Sequence, residues 1–190
     1  MIEKTLVLIK HDGLSRGLTG EILSRFEKVG LKVIGLKLVH VDREFAQHHY
    51  PVTEKWFNKV GNNTLDDSKK YGVSAKDTIG SEDPVEIGKI VHNWNVDYLT
   101  SGPVAAVVLE GTHAIEIVRK LVGHTVPNLS LPGTIRGDYA SSSAISSNLR
   151  KRAIYNLIHA SGDREDAERE IKLWFKEDEL MKYKNVHDLL

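Results

Sequence analysis

The run Asn156-Leu157-Ile158-His159-Ala160-Ser161 sets an imidazole between an amide and a hydroxyl. A neutral histidine can attack phosphorus with one ring nitrogen while the other keeps its proton. A carboxylate that accepts that proton fixes the tautomer and supports the cation formed on phosphorylation. Glu170 is placed for this, because the segment after His159 carries Ala167, Ile171 and Trp174 on one helical stripe and Glu170 borders it. Arg119 stands near the end of a helix that is apolar on its inner face. Arg136 is presented by the turn Pro132-Gly133-Thr134-Ile135-Arg136-Gly137-Asp138. Both offer the planar fork that suits phosphate. Thr125 follows Gly123 in a loop with a hydroxyl to donate, and Lys10 closes the first apolar strand, where strand ends open onto sites. Taken singly, each is an ordinary surface or core group. The set points to a histidine that accepts a phosphoryl group from a nucleotide and passes it on.

Absent motifs narrow the choice. Gly88-Lys89 is followed by Ile90 and lacks the upstream glycine of a phosphate loop, and Gly13, Gly17 and Gly20 have the wrong spacing for a dinucleotide fingerprint. Phosphates must therefore be held by side chains. A chain of 190 residues suits one domain with a real core. Its formal charge of +0 creates no global field toward nucleic acid or anionic membrane, so no specific nucleic acid partner is expected. Without cysteine there is no thiolate nucleophile, thiolate metal site or disulfide. No apolar run approaches the roughly 20 residues that span a bilayer, and no secretory signal opens the chain, so a soluble cytoplasmic protein is expected.

The elements that must position these residues follow from periodicity. Thr5–Ile9, Leu31–Val41, Pro103–Glu110 and Ile154–Ala160 read as strands, the first and third largely buried. Ile22, Leu23, Phe26 and Val29 fall at helical spacing ahead of Gly30, and Ala114–Val122 and Asp163–Phe175 read as further helices, the last capped by Asp163. Short helical pieces are expected at Arg43–His49 and Thr53–Val60, and loops at His11–Gly17 and Ser141–Ser147. Arg150-Lys151-Arg152 reads as a solvated face. The order is β-α-β, a helical excursion, then β-α-β. This predicts an α/β chain of the α+β sandwich type: a ferredoxin-like βαββαβ unit with a four-stranded antiparallel sheet, helices packed on one face, and added helices. Two stretches look like insertions into a single domain, 61–97 and 139–150. In the first, Asp83, Pro84 and Glu86 predict a capped helix with Ile87, Ile90, Val91 and Trp94 inward.

In these residues the chain resembles the nucleoside diphosphate kinase family over most of its length, in the long form of archaeal-type members. The resemblance rests on Thr5-Leu-Val-Leu-Ile-Lys10, Arg16-Gly-Leu, Gly20-Glu-Ile, His49-Tyr50, Ser101-Gly-Pro-Val104, Glu110-Gly111 and Val118-Arg119. It rests above all on Pro132-Gly-Thr-Ile-Arg-Gly-Asp138 and Asn156-Leu-Ile-His-Ala-Ser161, with Ala167-Glu-Arg-Glu-Ile171 and Leu173-Trp-Phe175 behind them.

The resemblance implies a ping-pong reaction in which a nucleoside triphosphate such as ATP phosphorylates His159 and a diphosphate such as GDP takes the group. It implies that Glu170 orients the histidine, that Arg119, Thr125 and Arg136 contact phosphates, and that Lys10 and Asn156 meet the ribose 3′-hydroxyl region, Lys10 also serving the transferring phosphate. Tyr50 and Ser161 would line the catalytic pocket, and the base would lie between Trp56 and Val60, Trp56 replacing the usual Phe. Mg²⁺ is implied, held through substrate phosphates and water rather than by protein ligands. Self-association is implied too, as a hexamer rather than a tetramer. The apolar end Val186–Leu190 reads either as a contact with a neighbour or as a frayed tail. Two departures bear on the site. His11 stands where proline usually fixes the turn after Lys10, which would loosen Lys10. Gly162 stands where an acidic residue is common, with Asp163 as its possible substitute. The alternatives to a kinase are a nucleotide-binding regulatory or scaffold protein, and a phosphohistidine donor to protein partners.

Overall fold

The computed structural model describes residues 2–50 and 52–186. In chain order the elements are β1 (Ile2–Ile9), α1 (His11–Ser15), α2 (Thr19–Glu27), β2 (Lys32–Val39), α3 (Arg43–His49), α4 (Glu54–Lys70), α5 (Ala75–Thr78), α6 (Pro84–Thr100), β3 (Val104–Thr112), α7 (Ala114–Val122), α8 (Ile135–Tyr139), α9 (Ala144–Leu149), β4 (Ile158–Ala160) and α10 (Arg164–Trp174). The four strands form one sheet in the order β2-β3-β1-β4. Every pairing is antiparallel, with Leu8 opposite His159 and Leu8 opposite Ala106 on its other side. This is the α+β arrangement that the element order predicts.

The sheet is covered on both faces rather than one. Val7 and Ile9 of β1 pack with Ile22 and Phe26 of α2 and Val118 and Val122 of α7. Leu6 and Leu8 point the other way and pack with Ala46 of α3, Val96 and Leu99 of α6, and Ile171 and Trp174 of α10. The reason lies in the central strands. Leu6–Ile9 and Val104–Leu109 are apolar without alternation and are buried throughout, so each face needs its own cover.

Five local expectations change. The loop after Lys10 is the short helix α1, begun by Gly13 and Leu14 donating to the Lys10 carbonyl at 2.9 and 3.0 Å. The serine-rich loop contains α9, because Ser143 and Ser146 cap each other's backbone, and Ser147 is buried. β4 is only three residues long, since the chain before it turns sharply at Leu157. Val29 lies beyond the end of α2 and is exposed. Asp163 caps α10 by accepting from the Asp166 N–H at 2.9 Å, so its carboxylate is used there instead of serving the site.

Residues 61–97 extend the helical excursion. α4 runs on to Lys70 and packs against α6. The two helices approach backbone to backbone, because a Cβ on Gly61 would meet Pro84 O at 2.0 Å and one on Gly88 would meet Phe57 O at 2.3 Å. Asp83 accepts from the Glu86 N–H as expected, but the Glu86 carboxylate accepts from Ser81 Oγ at 2.5 Å instead of closing back on Asp83. Ile87 is buried, with Ile90, Val91 and Trp94 packed on its cluster. The end 187–190 lies outside the described residues, and Val186 is exposed. Among the described residues no helix is long and apolar enough to cross a membrane.

Candidate active site

His159 is the middle residue of β4, and α10 begins four residues after β4 ends, which returns Glu170 beneath the imidazole. His159 Nε2 donates to Glu170 Oε2 at 2.8 Å. That bond assigns the Nε2–H tautomer and leaves Nδ1 as the basic nitrogen. Glu170 is only 3% exposed, so its charge must be shared. Ser161 Oγ donates to the same oxygen at 2.7 Å, and Arg169 approaches the other at 3.4 Å. Ser161 therefore sits behind Glu170, fully buried, rather than lining the pocket. Its hydroxyl is also engaged by Leu6 of β1, which accounts for that position.

His159 lines a cavity of about 380 Å³ together with Lys10, Tyr50, Arg119, Thr125, Arg136 and Asn156. Asn95 of α6 and His124 also reach it. A larger cavity of about 840 Å³ lies between β2, α10 and the segment around Tyr183, but it holds none of these groups.

Lys10 is buried and held firmly, although His11 stands after it in place of proline. His11 is the first residue of α1, the helix position at which proline is also accepted, and its Nδ1 lies 2.9 Å from Ser101 Oγ. Lys10 Nζ donates to Asn156 Oδ1 at 2.9 Å and lies 4.4 Å above the Tyr98 ring. Burial, with Arg136 nearby, pulls Lys10 down to about 7, while Asp12 acts in the opposite sense. Asn156 Nδ2 donates to the Thr125 carbonyl at 2.9 Å, so one amide ties Lys10 to the loop that carries Thr125.

Arg136 is also buried, and its fork is directed largely to main chain. Nε donates to Asn156 O at 3.1 Å, one terminal nitrogen to Gly123 O at 3.1 Å and the other to Ile158 O at 2.6 Å. Each terminal nitrogen keeps a second N–H for a ligand. Burial lowers Arg136 to about 10, and Arg119 is near enough to act in the same direction. Arg119 is exposed at the last turn of α7, a cation at the cavity mouth.

Sequence reasoning named His49 only as half of a matching dipeptide, beside Tyr50, which was expected to line the pocket and does. His49 is 1% exposed, its ring 4.5 Å from His159 and edge-on to it. Trp174 Nε1 donates to His49 Nδ1 at 3.3 Å, which places the His49 proton on Nε2. His49, His159 and Glu170 bring ligand atoms within 4.8 Å of one another. With Nδ1 accepting and Nε2 protonated, His49 offers no free lone pair to a metal. Burial drives it well below the usual histidine range, so it stays neutral beside His159. The Tyr50 hydroxyl has no partner among the described residues, and burial raises it above the usual tyrosine range, so it remains a donor.

Trp56 and Val60 lie one turn apart on α4, but neither lines the cavity. They connect to it through rings: Trp56 to His92 at 5.9 Å and His92 to Tyr50 at 6.3 Å. Asp12 and Tyr98, which hold the backbone under Lys10 and Asn156, were not singled out from the sequence. A carboxylate two residues after the strand-end lysine was the one local hint.

An antiparallel sheet with helices on both faces, opening onto a cationic cavity around a carboxylate-held histidine, has the chemistry of a phosphotransferase. The sequence pattern described as nucleoside diphosphate kinase matches residues 3–63 and 83–180, and the unmatched gap lies within 61–97. The nucleoside diphosphate kinase of Pyrobaculum aerophilum is 46% identical over 180 residues, 95% of this chain and 98% of that relative. The crystal structure of an NDP kinase from that organism superposes with a TM-score of 0.92 at 44% identity, covering 96% of this chain and 100% of the other. A Borrelia burgdorferi nucleoside diphosphate kinase, a transition state mimic with vanadate and ADP, gives a TM-score of 0.76 at 38% identity, covering 98% and 95%. The chain belongs to the nucleoside diphosphate kinase family. Its activity is phosphoryl transfer from a nucleoside triphosphate to a nucleoside diphosphate.

Proposed function

We propose that His159 carries the phosphoryl group. The observation that supports this is the His159 Nε2–Glu170 hydrogen bond, which leaves Nδ1 as the nucleophile in a cationic cavity. In the first half-reaction Nδ1 attacks the γ-phosphorus. The bond from phosphorus to the β,γ-bridging oxygen breaks, and the nucleoside diphosphate leaves with that oxygen. Glu170 stabilises the Nε2–H of the imidazolium. In the second half a terminal oxygen of another diphosphate attacks the same phosphorus, and the Nδ1–P bond breaks. Positioning and charge neutralisation carry such a transfer. Arg119, Thr125, Lys10 and the remaining N–H groups of Arg136 meet the phosphates, and the Tyr50 hydroxyl donates to the transferring group. Asn156 meets the ribose through the N–H not given to Thr125.

Among the described residues the cavity lining is cationic and neutral, without a carboxylate, which fits Mg²⁺ held by nucleotide phosphates and water rather than by the protein. If bound, the ion would supply charge neutralisation to the nucleotide phosphates, beside Arg119, Arg136 and Lys10. Self-association, with a hexamer favoured over a tetramer, and a cytoplasmic setting complete the reading. Leu36 and Leu38, exposed on the edge strand β2, are the kind of unpaired apolar edge that another copy covers.

Incubation with γ-phosphate-labelled ATP and then GDP tests the mechanism. Acid-labile label on the protein should move to GTP, and a wild-type protein that never takes label would remove the phosphohistidine step.

Nucleotide binding should also draw in a proton. Free Lys10 near 7 is mostly neutral at pH 8.5, and phosphate charge favours its protonated form. Calorimetry in buffers of different ionisation enthalpy should report uptake approaching about one proton at pH 8.5 and close to none at pH 6. Equal uptake at both values would contradict the assignment of phosphate to Lys10. Trp56→Ala should raise the KM for nucleotide about 5- to 100-fold and change kcat little, as loss of ~1–3 kcal/mol of base stacking implies. An unchanged KM would place the base elsewhere.

A further inference from the structure

The backbone that presents His159 is strained where it enters β4. Leu157 has φ +67°, a conformation that branched apolar residues avoid, and Ile158 N–H bonds back to Asn156 O at 2.7 Å to close a tight γ-turn. Such a turn persists only where its surroundings determine it. Here the main-chain groups are fastened individually. Arg136 takes the carbonyls of Asn156 and Ile158, and the Lys10 N–H donates to Leu157 O at 2.8 Å. The Leu157 N–H donates to Asp12 Oδ2 at 3.1 Å. Asp12 Oδ1 accepts from the Tyr98 hydroxyl at 2.7 Å, and the Tyr98 oxygen in turn accepts from the Asn156 N–H at 3.1 Å. Tyr98 is 3% exposed, stacks on Tyr155 at 4.7 Å and lies under the Lys10 ammonium.

We propose that Asp12 is a positioning residue for phosphoryl transfer: one carboxylate oxygen fastens the Leu157 turn, the other holds Tyr98, and together they place His159, Asn156 and Lys10 relative to one another. Asp12 itself touches no substrate. The residues it orders come from four separate parts of the chain: the β1 end, α6, the turn before β4, and β4 itself. This inference rests on His159 being the phosphoryl acceptor.

Two properties distinguish positioning from mere stabilisation. The first is rate. Misplacing reacting groups by about 1 Å costs up to ~10²-fold, so Asp12→Asn should slow single-turnover phosphorylation of His159 by about 10- to 100-fold at saturating ATP. Nucleotide affinity should change far less. The second is the pH profile. Lys10 is faced by Asp12 from α1, Arg136 from α8, His49 from α3 and Tyr98 from α6. Asp12 is the anion among these groups, and removing it leaves Arg136 unopposed. The basic-side fall in phosphorylation rate should therefore move to lower pH in Asp12→Asn. In Tyr98→Phe, which keeps the ring and loses the hydroxyl, the rate should fall about tenfold with the profile unmoved.

The experiment is rapid-quench labelling of full-length wild type, Asp12→Asn and Tyr98→Phe with γ-labelled ATP across pH 6–9.5, with a thermal melt of each. Slower labelling of folded protein, with the shifted profile confined to Asp12→Asn, supports the proposal. Wild-type rates and profiles per folded molecule in both variants would overturn it, even with a lowered Tm. Should Asp12→Asn fail to fold, Tyr98→Phe decides alone, and a wild-type rate there overturns the arm through Tyr98 and Asn156. A wild type that takes no label overturns the phosphohistidine reading and this inference together, whereas a labelled wild type with indifferent variants overturns the inference only.

Discussion

His159→Gln is expected to take no label from γ-labelled ATP and to lose transfer from ATP to GDP by at least ~10⁴-fold, because the covalent intermediate has no other nucleophile. Glutamine suits the test for structural reasons. The His159 side chain is partly exposed, and a glutamine amide can still donate to Glu170, so the buried carboxylate keeps a neutral donor beside Ser161. Fold and nucleotide binding should survive. A full kinetic loss with nucleotide affinity held within a few-fold would assign the defect to chemistry rather than binding. His49, whose ring stands 4.5 Å away, cannot replace it. Its Nδ1 accepts from Trp174, its Nε2 carries the proton, and it is buried behind the site. A Gln variant that still transferred phosphate at more than a trace would mean direct transfer between bound nucleotides, and the ping-pong scheme would have to be abandoned.

Arg136→Met should destabilise the protein by about 3 kcal/mol, measured by urea unfolding, and should also cost more than ~10² in activity. Both effects have one origin. The guanidinium donates to Asn156 O, Gly123 O and Ile158 O, so its removal strips partners from carbonyls inside the protein. Each carbonyl left bare costs ~1–3 kcal/mol, offset by relief from burying a cation that burial itself lowers to about 10. Asn156 O keeps the Ile158 N–H, which limits the loss. The strained turn at Leu157 would then be free to relax, and His159 would move with it. Arg136→Lys should not restore either property, because an ammonium is a single point donor that cannot span three carbonyls set around a planar fork. A stability change below about 1 kcal/mol in Arg136→Met would show that the main-chain clamp carries little, leaving the residue to phosphate alone.

The parts legible in advance were those governed by local chemistry. Asp163 before a polar turn, and Asp83 followed by Pro84, announced two helix starts that the structure shows with side-chain caps in place. The unbroken apolar runs of β1 and β3 announced buried strands. The misread parts were those in which a remote partner decides. Ser141–Ser147 looks like a loop by composition, yet Ser143 and Ser146 cap a helix whose inner residues find burial. Ile154–Ala160 has the residues of a strand, but Arg136 and Asp12 hold its first half in a turn. His11 looked like a loosening of Lys10, yet Lys10 is fixed from the other side by Asn156 and Tyr98.

The sequence by itself determined the groups proposed to react: a histidine, the carboxylate behind it, and arginines and a lysine that offer positive charge to phosphate. Side-chain type and order suffice for that, since no other residues in this cysteine-free chain offer the same nucleophile with the same neighbours. Tertiary structure alone decided which groups line the cavity and which hold others in place. It moved Ser161 behind Glu170, turned three of the five Arg136 donors onto main chain, and brought in Asp12, Tyr98, His49 and Asn95. The physical reason is that burial drives most polar groups to find a partner, and the partner is chosen by distances across the sheet rather than by neighbours along the chain.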